Sequence, residues 1–115
     1  MENPPVQEIH VIRDLAQLKA LADPLRVRIL EAFAEQPRTT KQVAARIEEK
    51  PTKLYHHVDA LHKAGLIVLE TTRQNRGTVE KYFRAIARLF RTDPELFGGA
   101  GGDGEAGLHA AVAES

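Results

Sequence analysis

The chain contains no cysteine, which removes disulfides, thiolate metal sites and cysteine nucleophiles and leaves the redox compartment open. It has no apolar run approaching the roughly eighteen residues that a membrane span requires. The opening MENPPVQEIH lacks the basic and apolar regions of a signal peptide, so a cytoplasmic protein is expected. Catalytic signatures are missing too. There is no GxSxG, no HExxH and no glycine loop feeding a helix to cradle phosphate, and the tail glycines occupy no strand-to-helix turn. A protein that is not an enzyme and carries no cofactor is the expectation.

Net charge is absent as well. Sixteen Lys plus Arg balance sixteen Asp plus Glu over 115 residues, which on its face disfavours a nucleic-acid partner. The balance conceals a gradient. From Thr92 onward there is no Lys or Arg but five acids, Asp93, Glu95, Asp103, Glu105 and Glu114, so residues 1–91 carry sixteen bases against eleven acids, net +5. Lys50 to Arg91 is steeper, nine bases against three acids, net +6. A basic surface is therefore contiguous in the chain and can be placed on one architecture.

The length suits a single domain with one modest core. MENPPVQE, with its double proline, reads as the start of a flexible arm over residues 1–10. Ile12, Leu15, Ala16, Leu18 and Leu21 then recur at helical spacing, and Asp23-Pro24 stops that helix and starts another, with Asp as N-cap. Leu25, Ile29, Leu30 and Phe33 form the stripe of a second helix that ends at Gln36-Pro37. Thr39 or Thr40 can cap a third, over TKQVAARIEEK. PTKLYHHVDALHKAG supplies a fourth, with Pro51 in its first turn and Gly65 just past its end. The period then changes: LIVLETT and TVEKYFRA read as strands around the turn RQNRG, and AIARLFRT reads as a short last helix. Residues 92–115 read as an acidic, glycine-rich flexible tail, with six glycines between Gly98 and Gly107. Four helices, a hairpin with a basic tip and a final helix are the plan of a winged helix-turn-helix, mainly α with a β-hairpin wing.

The fourth helix concentrates three of the five histidines. At 100° per residue from Leu54, Val58 falls at about 40° and Leu61 at about 340°, which defines a buried face. Thr52, His56, Asp59 and Lys63 fall at about 140° to 200°, opposite the core, His57 at about 300° beside it, and Tyr55 and His62 on a flank. Imidazoles at i and i+1 diverge too far to close on one ion, which leaves Asp59 and His62 as the usable metal pair; His10 or His109 would have to supply a third ligand. His57 reads as semi-buried and bonded to backbone. His56 is open to two readings, a solvated surface residue or a contact to phosphate or base edge alongside Thr52 and Lys63. Asp59, which opposes phosphate, must read a cytosine amino group, pair with Lys63, or lie outside the footprint. At the hairpin tip Arg73 and Arg76 flank Gln74 and Asn75, a group that suits a phosphate backbone or minor groove or is simply a soluble turn.

ALADPLRVRILEAF, KLYHHVDALHKAGLI and RGTVEKYFRAIA together resemble the ArsR-type winged helix-turn-helix regulators, in particular a cysteine-free branch with a LYHH recognition helix. The likeness covers about residues 12 to 91. It implies a homodimer, formed largely by the first and last helices, on a roughly palindromic operator. By position it implies that the third helix crosses the DNA backbone from Thr40 and Lys41. The base-reading segment would then include Lys50, Thr52, Lys53, Tyr55 and His56, with Arg73, Gln74, Asn75 and Arg76 as the wing. Ile12, Leu15, Leu18, Ile86, Leu89 and Phe90 become dimer candidates, though burial within one subunit explains them nearly as well. The chain departs from the pattern in three places. The cysteines of members that sense thiophilic metals are missing, AIARLFR has none of the Asp, His and Glu ligands others carry on the last helix, and Glu48 and Glu49 stand where many relatives have Gly and an apolar residue.

The expectation is a sequence-specific DNA-binding transcriptional regulator, a repressor by family habit, acting as a homodimer on double-stranded DNA within residues 11–91. The alternatives are a winged-helix module that holds a protein partner and binds DNA only nonspecifically, and a metal-responsive regulator using His and Asp ligands.

Overall fold

A computed structural model describes residues 3–97. The glycine-rich stretch from Gly98 to Gly107, the closing LHAAVAES with His109, and the first two residues lie outside the described part.

Four helices follow one another, each started by a local signal that the sequence carries. Helix α1 (Leu15–Ala20) is capped by Asp14, whose Oδ1 accepts from Ala16 N–H at 2.6 Å. Helix α2 (Pro24–Glu35) begins with Pro24 in its first turn, and Asp23 Oδ1 accepts from Leu25 N–H at 2.9 Å. Helix α3 (Thr40–Ile47) opens on a capping box: Thr39 Oγ1 accepts from Gln42 N–H and Gln42 Oε1 accepts from Thr39 N–H, both at 3.1 Å. Thr39, not Thr40, is thus the cap. Helix α4 (Pro51–Lys63) has no side-chain cap and relies on Pro51. It ends before Gly65, which takes φ +78°. At the far end of α2, Glu35 receives Arg38 at 2.6 Å and a two-pronged contact from Arg46, at 3.1 and 2.9 Å. The hydrogen bond from Arg38, then that from Arg46, hold its carboxyl below the usual range and tie α2 to α3.

The stripes meet in one core. Ile29, Leu30 and Phe33 of α2, Val43 of α3, and Leu54 and Leu61 of α4 are each 1% exposed or less, with Leu66 and Ile67 closing the floor. Burying each large apolar side chain contributes about 1.5–3 kcal/mol, which is why these short helices persist when isolated segments of their length would not. Strands β2 (Ile67–Asn75) and β3 (Thr78–Ala85) form an antiparallel hairpin with a bulge between Leu69 and Thr71. Its loop is two residues, Arg76 and Gly77, at φ +53° and +84°, the signature of a type I′ turn whose twist suits a hairpin. The turn is thus narrower than RQNRG: Arg73, Gln74 and Asn75 lie on β2, paired with Glu80, Val79 and Thr78. On its other edge β3 meets Arg38, which bridges to Phe83.

Two expected elements differ. AIARLFRT is no helix; residues Ala87–Thr92 form strand β4, parallel to strand β1 (Gln7–Ile12), in register Gln7 with Ala87, Ile9 with Leu89 and Val11 with Arg91. The helical spacing was real, but so short a segment holds no helix unaided, whereas EIHVI offers it a β-branched partner strand. The pairing with β1 decides the matter, and it leaves Ala87, Phe90 and Thr92 covered with Arg88 and Arg91 exposed. The same pairing removes the free arm from Gln7 onward, where Gln7 N–H donates to Ile86 O at 2.9 Å. Further back, Arg84 donates to Pro4 O and Asn3 Nδ2 to Leu69 O. Of the six dimer candidates, Ile12, Ile86 and Phe90 are buried within the single chain, which is the plainer of the two readings; Leu15 is 58% exposed.

Candidate nucleic-acid interface

Helix α4 is the element that aims the polar residues. With Leu54, Val58 and Leu61 against the core, Thr52, Lys53, Tyr55, His56, Asp59 and Lys63 are all exposed, as the helical wheel requires. Between this helix, the start of α3 and the hairpin lies a groove of about 570 Å³. Val58, Leu69, Val79 and Phe83 give it apolar walls, Lys41 and Lys81 give it cations, and His62 packs edge-on against Phe83 at 5.1 Å. Thr40 lines the same groove but is only 8% exposed, so Lys41 is the side chain that α3 offers outward.

The charges on this face are not all available. Lys63 pairs with Asp59 at 3.0 Å across one exposed turn of α4, and Lys53 pairs at 3.3 Å with the half-buried Glu49 in the turn before the helix. Such pairs contribute little to stability, but they neutralise two of the cations expected to meet phosphate. Asp59 thereby takes one of its three open options, the bond to Lys63. Lys41, Lys50, Lys81 and Arg76 make no ion pair among the described residues. On the hairpin Arg73 lies over the Tyr82 ring, 5.3 Å from its centroid, and Asn75 Nδ2 donates to Glu80 Oε2 at 3.3 Å. Arg76 and Gln74 remain exposed at the tip. Arg84, counted in the basic surface, is instead buried at 8% exposure, donating to Glu70 at 2.6 Å.

The three histidines differ in exposure as their positions on the helix dictate: His57 is buried, and His56 and His62 are exposed. His57 is 8% exposed, but its partner is a side chain, not backbone: Arg26 Nε–H donates to His57 Nδ1 at 3.0 Å. Burial, then the neighbouring His56 and Arg26 charges, push its pKa below the ordinary 6.5, against the pull of Asp23. The His56 and His57 ring centroids are 3.9 Å apart, so the adjacent rings lean together although their helical directions diverge. His62 and Asp59, the one pair with metal-ligand spacing, are engaged with Phe83 and Lys63, and His10 is hydrogen-bonded to Gln17 at 3.0 Å. Among the described residues no three His, Asp or Glu side chains gather as ligands. Nor is any described helix long and apolar enough to cross a membrane.

Comparison with known proteins matches this arrangement. A family profile described as a helix-turn-helix domain covers residues 21–70, from the end of α1 into β2. Among solved structures the chain is similar to a homodimeric winged helix-turn-helix DNA-binding domain, fragment 1–100 of Mb0332 from Mycobacterium bovis, described as a possible ArsR-family transcriptional regulator. Identity is 25% and the TM-score 0.51, over 63% of this chain and 62% of that one. The fold is a winged helix-turn-helix. Less than two thirds of the Mycobacterium domain is spanned by the match. The transcriptional regulator HlyU from Vibrio vulnificus CMCP6 is 28% identical with a TM-score of 0.48, over 62% of this chain and 69% of that one. HlyU from Vibrio cholerae N16961 is 25% identical with a TM-score of 0.49, over 62% and 72%. No curated protein matches the chain.

In winged-helix terms α4 holds the place of the recognition helix and β2–β3 that of the wing. Two residues that shape this surface had no signal of their own. Arg26 sits one position past the apolar stripe of α2 and reads as an ordinary helix-surface charge, yet it reaches His57 and also Ala20 O at 3.5 Å. Gln17 links α1 to the end of α4 by donating to Ala64 O at 3.0 Å. The Arg26–His57 and Gln17–Ala64 contacts join residues more than thirty positions apart, a distance over which no local pattern carries information.

Proposed function

We propose that the protein is a sequence-specific DNA-binding transcriptional regulator of the ArsR type. The observation that carries this reading is the outward face of α4. Thr52, Tyr55 and His56 stand together there, free of the core, with Lys50 at its N-terminal edge and Lys41, Lys81 and Arg76 on the elements around the groove. A helix presenting short polar and aromatic side chains between unpaired cations suits base edges flanked by phosphates. Lys53 and Lys63, though paired in the free protein, can exchange their carboxylates for phosphates at little expense: the Lys63–Asp59 pair is solvent-exposed, and Glu49, when Lys53 leaves it, keeps Arg28 at 3.9 Å.

The working unit in this reading is a homodimer on a near-palindromic operator, with repression as the outcome of occupancy. The Mycobacterium domain of the same fold is homodimeric, and a two-fold protein on two half-sites is the geometry by which a short recognition helix reaches useful specificity. Exposed Leu15 and half-exposed Ile9, at 58% and 43%, remain available for such an interface, whereas Phe90 and Ile12 do not.

Selection of genomic fragments by the purified protein, followed by sequencing, tests the proposal. A shared, two-fold-related motif is expected. A bound pool with no common motif replaces the regulator with a module whose DNA affinity is nonspecific.

A further inference from the structure

His57 is the one nearly buried imidazole on α4, and it accepts a hydrogen bond at Nδ1 from Arg26 Nε–H at 3.0 Å. That contact has a chemical condition. An imidazole nitrogen accepts only when it carries no proton, so the ring must be neutral with its proton on Nε2. The groups facing it are few. From α2 come Arg26 and the cap Asp23, whose Oδ2 is 3.9 Å from Nδ1; from α4 comes His56, with ring centroids 3.9 Å apart. Arg26 is itself anchored, donating through Nη1 to Ala20 O at the end of α1. The guanidinium thus joins α1, α2 and α4 through a single ring.

We infer that Arg26 is a positioning residue that holds the DNA-facing helix through His57, and that protonation of His57 releases it. A proton on Nδ1 removes the acceptor and sets N–H against N–H, two cations in contact. Among the described residues Asp23, the N-cap of α2, is then the attractive neighbour, and its other oxygen already accepts from Leu25 N–H. The ring moves toward that carboxylate and the middle of α4 loses its link through Arg26 to α2 and α1, while the Gln17 bond to Ala64 O still holds the end of the helix. Since His56 is the next residue and its tilted ring lies against the same ring, its placement on the outward face follows. Burial and the neighbouring charge of Arg26 favour the neutral ring, so the clamp is closed at neutral pH and opens on acidification.

The affinity readout rests on the DNA-binding proposal, but the state of the ring does not, and the two are measured separately. In the full chain, nitrogen-15 NMR of the His57 ring at about pH 7.5 is expected to show an unprotonated Nδ1 and a protonated Nε2. A protonated Nδ1 overturns the inference whether or not DNA is bound. Arg26→Gln, which keeps an N–H donor but loses the charge, should raise the pH at which the His57 ring titrates; an unchanged titration also overturns it. For affinity, His57→Asn places a carbonyl oxygen where Nδ1 lies and cannot be protonated. Its affinity for a selected DNA site should match wild type at about pH 8 and exceed it roughly tenfold at about pH 5, the scale of one lost hydrogen bond to a charged group. Circular dichroism at both pH values confirms that the variant is folded. A ratio that stays at one across this range, with the tautomer as expected, refutes the positional link to DNA.

Discussion

Replacing Glu48 by glycine should stabilise the protein, although the substitution removes a side chain and adds backbone freedom. Glu48 closes α3 at φ +61° and ψ +50°, a left-handed conformation, with its N–H directed to Ala44 O and Ala45 O. For an L-residue that conformation costs roughly 1–2 kcal/mol relative to right-handed backbone. Glycine relieves this but brings about 0.4–1 kcal/mol of extra entropy loss on folding. A second contribution has the same sign as the relief. A carboxylate at a helix C-terminus opposes the dipole, by about 0.3–1 kcal/mol at an exposed site, and among the described residues Glu48 makes no ion pair within 4.0 Å to offset it. The net is a gain of about 1 kcal/mol, or a rise in Tm of about 4–8 °C for a domain of this size. Glu48→Ala separates the two causes: it removes the charge and keeps the backbone strain, so its Tm should rise by less than half as much. Differential scanning calorimetry on the two variants and wild type makes the comparison. A Tm for Glu48→Gly at or below wild type, or equal gains for Gly and Ala, refutes the assignment of strain to this turn.

Phe90→Ala should destabilise the folded chain by about 3–5 kcal/mol, because a ring that is 2% exposed leaves a cavity; denaturant unfolding reads this, and an unaffected midpoint would mean that β4 is no part of the core. Gly77→Ala meets no atom within 4 Å but must keep φ +84°, so about 1 kcal/mol of loss is expected from backbone alone, visible in the same unfolding experiment. Stability should decline as pH falls below the ordinary histidine value of 6.5: the folded pKa of His57 lies beneath it, the unfolded chain binds the proton first, and the contribution that is complete above 6.5 is lost progressively down to the folded value. Urea midpoints across that range check the sign, and in His57→Asn the decline should flatten. Arg76→Ala should lower DNA affinity evenly across sequences and reduce the salt slope by about one, while His56→Ala should relax preference at particular base positions; an unaltered slope for Arg76→Ala would remove the wing from the interface.

The extent to which the site was legible along the chain follows the range of the forces involved. Asp23-Pro24, the Thr39 capping box, Pro51 and Gly65 act on their immediate neighbours, and the apolar stripes act at three and four residues, so α2, α3, α4 and the outward orientation of His56 could all be read directly. The hairpin is visible from its period, but its loop is narrower than the polar run RQNRG suggests, because Arg73 to Asn75 are paired only through the cross-strand register with Thr78 to Glu80. AIARLFRT is the instructive failure: six residues from Ala87 to Thr92 satisfy a helical spacing as well as a strand, and the choice belongs to a partner eighty positions away.

By itself, the amino-acid order determined which residues start and stop each helix, which face of α4 is apolar, and that the bases are concentrated between Lys50 and Arg91. Only the tertiary structure decided what those charges do. It sent Arg84 inward to Glu70, set Lys53 and Lys63 beside carboxylates, and brought Arg26 to the ring of His57. Local signals propagate through one or two turns of backbone, whereas the partner of a long, flexible charged side chain is chosen by which surfaces the core brings within a few ångströms of it.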